Sequence, residues 1–417
     1  MLKRKEIEGY QYFRLDNGIK LIHRQNSAPV SHLALMVNTG SRDEDLSENG
    51  VAHLIEHMIF KGTNKRKAFH VISFLENVGC DLNAYTTKEE TCIHGTFLKA
   101  YYDRALELFA DIAFNSVFPA KELEKEKEVI LDEINSYKDS PSEEIFDEYE
   151  NMLFSGHPIG RNILGTTDTV KSFNRNHILR FIKKNYKTSE IVIASVGNID
   201  FEKLKKHVSR HFGLIPASDN TNHRQPFDFY LPRTQKEERD NYLSHCLIGN
   251  IAYQYDHPKK HSLVLLNNVL GGPGLNSRLN LNIREKYGFA YNIDSQYTSY
   301  TDTGWFGVYL GTDPESVTKA ESLVKKELKK LCNDRLGTLQ LARAKQQLIV
   351  QLAISIESGL SETLSIARAH LQKDHVDSME DIIRSIRNID SSDLLEVANE
   401  VFEPRQLSTL IFAGNKS

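Results

Sequence analysis

The apolar positions near the start of the chain recur at strand spacing. Residues 10–15 and 19–24 flank a turn at Asp16-Asn17-Gly18, the composition of a hairpin connection. Val30–Val37 is a longer apolar run, ended by Thr39-Gly40-Ser41. After the acidic polar stretch 42–49 the period changes. Val51, Leu54, Ile55, Met58 and Ile59 fall on one helical face, with Ser47 or Asn49 available as the cap. Helical patterns follow at 68–78 (closed by Gly79), at 101–114, from Pro119 to about 137, and at 142–154. Asp139-Ser140-Pro141-Ser142 separates the last two. Residues 82–87 and 92–98 read as paired strands. A helix at 171–185 and a strand at 191–196, ending in Gly197-Asn198, complete this half.

The same order then recurs. Residues 246–252 read as a strand, 261–270 as a helix ending at Gly271-Gly272, and 303–310 as a strand. Asp313-Pro314-Glu315 opens a helix through Leu331, and 339–357 is a long helix matching the one after Pro119. A helix at 391–402 precedes a strand at 408–412, which ends in Ala413-Gly414-Asn415 and mirrors Val196-Gly197-Asn198. This predicts an α+β fold of two similar α/β-sandwich domains made by internal duplication, each a mostly antiparallel sheet covered by helices. The expected boundaries are 1–215, a connection at 216–234, and 235–417.

Composition narrows the function classes. A net charge of −4, with no long basic run, argues against nucleic acid as partner. No stretch of 18 apolar residues is present, so no membrane span is expected. The first residues are basic but lack an apolar stretch, so no secretory signal is expected and a cytoplasmic location follows. Cys80, Cys92, Cys246 and Cys332 lack Cys-x-x-Cys spacing and read as buried thiols. The acid-rich stretches 42–48 and 143–150 read as solvated faces, or as an acidic lining that would favour basic peptides.

Candidate chemistry concentrates in His53-Leu54-Ile55-Glu56-His57. On a helix, His53 and His57 are one turn apart on one face, with Glu56 beside them. Two imidazoles so spaced can bind one Zn²⁺, and the carboxylate can take a proton from its water. Composition alone would produce roughly 0.05 such matches in a chain this long. The plainer alternative is two histidines that pack or face solvent. The helix after Pro119 places Glu126 and Glu133 on the stripe that holds Leu123, Ile130 and Ile134. Carboxylates on an apolar stripe need compensation, which a divalent cation would give, with Glu133 as ligand and Glu126 supporting. A solvated charged helix is the alternative there.

With Glu133 lying seventy-six residues after His57, the chain resembles the inverted-zincin (His-x-x-Glu-His) family of pitrilysin, insulysin and the mitochondrial processing peptidases, in its short bacterial branch. The resemblance runs over nearly the whole chain. It implies one Zn²⁺ per chain on His53, His57 and Glu133, Glu56 as general base, and Glu126 as supporting acid. Leu82-Asn83-Ala84-Tyr85-Thr86-Thr87 resembles the family's substrate-pairing edge strand, which implies peptide binding at Asn83 and Ala84 by strand addition. The stretch from Gly271-Gly272-Pro273-Gly274 to Tyr291 resembles the glycine-rich loop and Arg/Tyr pair of the family's second domain. Pro273 stands where relatives often have another glycine. Arg284 and Tyr291 would donate to the substrate and its oxyanion; the residues alone would also suit a surface ion pair and a core aromatic. The resemblance further implies a clamshell chamber, peptide substrates, and a zinc endopeptidase acting on peptides or unfolded segments. Because one chain carries both the ligands and the Arg/Tyr pair, a homodimer is expected, with a heterodimer possible. The competing class is a catalytically silent or partner-dependent structural subunit.

Overall fold

The hairpin expected at Asp16-Asn17-Gly18 forms: β1 (Tyr10–Arg14) pairs antiparallel with β2 (Lys20–Gln25). Gly18 takes the left-handed conformation the turn needs, at φ +99°. The computed structural model describes residues 9–219 and 223–415. The basic stretch 1–8 and residues 220–222 of the expected connection lie outside them.

The first sheet adds β3 (Val30–Val37), β4 (Asp81–Thr86), β5 (Thr91–Leu98) and β6 (Ile191–Gly197). Its order is β1-β2-β6-β3-β5-β4, antiparallel except for the parallel pair β2–β6. The second sheet contains β7 (Thr234–Arg239), β8 (Ser244–Ala252), β9 (Asn292–Ser299), β10 (Gly304–Thr312) and β11 (Ser408–Gly414), in the order β7-β11-β8-β10-β9. Its one parallel pair is β7–β11. Strand for strand, this is the order β2-β6-β3-β5-β4, with the parallel pair in the same place. The duplication read from the sequence is therefore present in the topology.

Helices cover both sheets. In chain order they are α1 (Val51–Met58), α2 (Ala68–Glu76), α3 (Tyr102–Phe114), α4 (Ala120–Lys138), α5 (Pro141–Leu153), α6 (Thr167–Ser172), α7 (Arg175–Asn185) and α8 (Phe201–Phe212), followed by α9 (Lys260–Gly271), α10 (Val317–Asn333), α11 (Thr338–Ser355), α12 (Gly359–Lys373), α13 (Met379–Asn388) and α14 (Ser391–Val401). The helix expected at 171–185 is two helices, because the Asn174 side chain accepts from Asn176 N and starts α7 afresh.

Alternation along β3 explains why the first sheet needs two covers. Leu33, Leu35 and Val37 join a core with Val51, Leu54 and Met58 of α1. Ala34 and Met36 face the other way, with Ile22, Val192, Ala194 and Val196, and pack under Ile366, Ala367 and Leu371 of α12. In the second sheet, Cys246, Ile248, Phe306 and Val308 pack with α9, α10 and α14. Leu247, Trp305, Leu410 and Phe412 pack under Ile145 and Tyr149 of α5.

Two compact units result. One holds residues 1–135, 161–224 and 354–378; the other holds 136–160, 225–353 and 379–417. The linear boundary expected at 216–234 is thus crossed twice. Each sheet takes the helix over its second apolar face from the other half of the chain, α12 for the first and α5 for the second. Among the described residues no helix is long and apolar enough to cross a membrane. All four cysteines are free, with Cys80, Cys92 and Cys246 buried.

Ala367 is fully buried against the first sheet. Ala367→Asp would set an unpaired carboxylate there, at a cost of roughly 2–7 kcal/mol. The expected outcome is release of α12, read as new protease cleavage within 354–378; unchanged protection would contradict this role for the helix.

Candidate metal centre and peptide groove

The helix α1 begins at Gly50, whose φ is +98° and where a Cβ would lie 2.6 Å from the Leu164 carbonyl oxygen. Only glycine fits both conditions. The expected caps, Ser47 and Asn49, do not cap it. The Glu44 carboxylate does: Oε2 accepts from Gly50 N (2.9 Å) and Asn49 Nδ2 (3.0 Å), and Oε1 accepts from Ala52 N (2.8 Å). Burial pushes Glu44 up to about 8, while these three N–H donors favour its ionised form. The stretch 42–48 is a solvated face only at residues 45–47. Arg42, Glu44, Glu48 and Asn49 are buried, Arg42 pairs with Glu89 at 2.6 Å, and Glu48 pairs with Arg180. In the other acid-rich stretch, Glu150 is buried and accepts from Trp305 Nε1 and Tyr300 Oη.

From this start α1 aims its two histidines at α4. His53 Nε2 and His57 Nε2 each lie 3.7 Å from Glu133 Oε2, and one donor atom from each residue falls within 4.8 Å of the others. The stripe of Leu123, Ile130 and Ile134 is buried as expected, and Glu126 is buried beside it. That removes the solvated-helix alternative for this face of α4. Glu126 Oε2 is 3.2 Å from His57 Nδ1, and its Oε1 is 2.6 Å from Lys61 Nζ.

The donor set suits a divalent cation. A spacing of 3.7 Å is too long for a hydrogen bond. Two donors roughly 2.1 Å from one tetrahedral ion would stand about 3.4 Å apart. Burial, and then the neighbouring His57, drive His53 down to about 3, which keeps it neutral as a metal ligand must be. Glu126 gives His57 the outer partner that ligating histidines usually have. The Nδ1 of His53 is buried without one. Glu56 and Glu133 are both raised above the usual carboxylate range by burial.

Glu56 and His57 open onto a groove of about 350 Å³, whose lining includes Phe60, Lys61, Leu82, Asn83, Ala84 and Glu126. The strand on its rim, β4, ends the first sheet and, among the described residues, pairs only with β5. Its outer edge is therefore available to another strand. Asn83 is exposed, and its Oδ1 accepts from Ala84 N. A strand added here would compete with that bond. The structure thus brings His53, Glu56, His57, Asn83, Ala84, Glu126 and Glu133 together in one unit.

Arg284 and Tyr291 belong to the other unit. Arg284 is exposed on a π-helical turn, Asn280–Glu285, and donates to Asn280 Oδ1 at 3.4 Å. Tyr291 is 54% exposed, so it is not a core aromatic. Sequence reasoning missed two supports. Lys61 follows His57 by four residues, the spacing that could have flagged it. Glu44 had no local signal, because it caps a helix that starts seven residues later.

A duplicated α/β repeat with a His-His-Glu cluster in one copy defines the class. Residues 20–167 match the insulinase family (peptidase family M16), and residues 172–348 match the inactive domain of peptidase M16. The chain belongs to peptidase family M16. YmxG, an uncharacterised zinc protease of Bacillus subtilis (strain 168), is 30% identical over 406 residues, covering 97% of this chain and 98% of the relative. The mitochondrial-processing peptidase subunit beta of Bos taurus is 30% identical over 366 residues, covering 86% of this chain and 74% of that protein. A crystal structure of a protease from Helicobacter pylori superposes with a TM-score of 0.88 at 22% identity, over 97% of this chain and 99% of that one. The peptidase M16 inactive domain from Pseudomonas fluorescens gives 0.91 at 20% identity, over 98% of each. These two likenesses concern the fold.

Glu44→Ala would orphan two buried backbone N–H groups at the start of α1, at about 1–3 kcal/mol each. The expected result is a lower urea midpoint and weaker zinc uptake. An unchanged midpoint would contradict the capping role.

Proposed function

We propose that this chain is a zinc-dependent endopeptidase that takes peptides or unfolded segments as an added strand along β4. The observation that carries this reading is that His57 of the donor cluster and its neighbour Glu56 line the same groove as Leu82, Asn83 and Ala84 of the edge strand. A Zn²⁺ on His53, His57 and Glu133 would supply Lewis acidity to a scissile carbonyl and to a water. That the relatives include proteins named zinc proteases supports the choice of metal.

The side chains then divide the work. Glu56, raised by burial, accepts the proton of the attacking water and returns it to the leaving amine. Glu126 holds the His57 ring through Nδ1 and so points Nε2 at the cluster, while Lys61 balances its charge. The backbone at Asn83 and Ala84 pairs with the peptide, and such bonds fix its direction with little side-chain selectivity. Arg284 and Tyr291 serve as donors to substrate carbonyls, a role their exposure allows. We assign two such chains to a homodimer. A second reading is a subunit whose activity depends on a different chain; it is favoured by the relative named as a subunit beta. It predicts that the isolated chain is silent.

Glu56→Gln should retain zinc and still bind a long quenched-fluorescence peptide, while turnover falls by about 10²–10⁴-fold. Near wild-type turnover would remove Glu56 from this role. A chelator should abolish hydrolysis by the wild-type chain alone, and added Zn²⁺ should restore it. Activity indifferent to chelation would contradict the metal, and activity only after adding another subunit would favour the second reading.

A further inference from the structure

The turn that carries β4 into β5 is buried, although hairpin turns ordinarily lie at the surface. Lys88, Glu89 and Glu90 are 4%, 4% and 3% exposed. Three consecutive buried charges are tolerated only if each is compensated, and each is. Lys88 Nζ donates to the Arg161 carbonyl at 2.5 Å. Glu89 lies 2.6 Å from Arg42 Nη1 and 3.6 Å from Arg224 Nη1. Glu90 is gripped by Arg368, whose Nε is 2.9 Å from both carboxylate oxygens and whose Nη2 also donates to Oε1.

Glu90 is the member of this trio that reaches back into β4. Its Oε1 accepts from Tyr85 Oη at 3.1 Å, and Tyr85 is the residue after Ala84. Among the described residues, the ladder holds β4 on one side only. Its set relative to the groove therefore depends on the turn and on the side chains beneath it. Arg368 lies on α12, a segment from the second half of the chain that belongs to the first unit. We infer that Arg368 is a positioning residue for peptide binding: through Glu90 and Tyr85 it holds β4 straight and in register for an incoming strand. This rests on reading β4 as the peptide edge. A preorganised edge costs less ordering on binding, so the loss of Arg368 should weaken binding rather than chemistry.

The test uses the full chain and two readouts. In Arg368→Met, amide hydrogen exchange across β4 should quicken without peptide present. KM for a long quenched peptide should rise about tenfold with kcat within about twofold, at unchanged zinc content. Tyr85→Phe should raise KM less, and Arg368→Met/Tyr85→Phe should be no worse than Arg368→Met alone, as expected for residues acting in series. If Arg368→Met fails to fold, Glu90→Gln/Arg368→Met removes both charges and is read the same way. Unchanged β4 exchange in a folded variant overturns the inference, as does a fall in kcat at constant KM. If the wild-type chain cleaves no peptide, the proposed function fails, and the exchange measurement still judges Arg368.

Discussion

Two carboxylates stand on the inward face of α4, and the surrounding site answers the cost of putting them there. Glu126 is settled within the protein by Lys61 and the His57 ring. Glu133 is not settled in that way: the groups facing it are two imidazole nitrogens at 3.7 Å. One of these belongs to a histidine that burial keeps neutral. A neutral ring does not balance a carboxylate, whereas a shared divalent cation does. The same constraint fixes how α1 and α4 must face each other, and hence where Glu56 can point.

Buried charge also frames the site at longer range. Glu44 stands in for a side-chain cap on α1, and the turn 87–90 is locked by Arg42, Arg224 and Arg368. Apolar contacts would tolerate sliding by fractions of an ångström. Paired, desolvated charges with bidentate geometry resist it, because a displaced partner leaves an unpaired ion. Under the proposed function, the metal donors and the strand edge are held in fixed relation by that stiffness. The cost is sensitivity to single substitutions well outside the groove.

How much of this could be read in the sequence follows from what each feature depends on. His53, Glu56 and His57 share one helix turn, and Glu126 and Glu133 share one helical stripe, so periodicity alone displays them. The duplication showed itself because apolar runs recur in order. The strands β7 and β9 escaped because edge strands, Thr-Gln-Lys-Glu-Glu-Arg among them, carry little apolar alternation. The helix α8 had no such excuse: Leu204, Val208 and Phe212 repeat at helical spacing. The helices α12 and α13 were not read from the sequence, and the crossing of α5 and α12 was illegible in principle, since an apolar helix face does not specify which sheet it covers. Glu44 and Arg368 were hidden for a related reason. A charged residue in a polar stretch looks solvated until the fold supplies its partner.

The central claim is that His53, His57 and Glu133 form one metal site. Native mass spectrometry of the full chain, equilibrated with limiting Zn²⁺, tests it most directly when wild type is compared with Glu133→Ala. The account predicts one tightly held zinc per wild-type chain and at least a tenfold weaker hold in the variant, or about 1.4 kcal/mol. Equal zinc occupancy in the two proteins would contradict it.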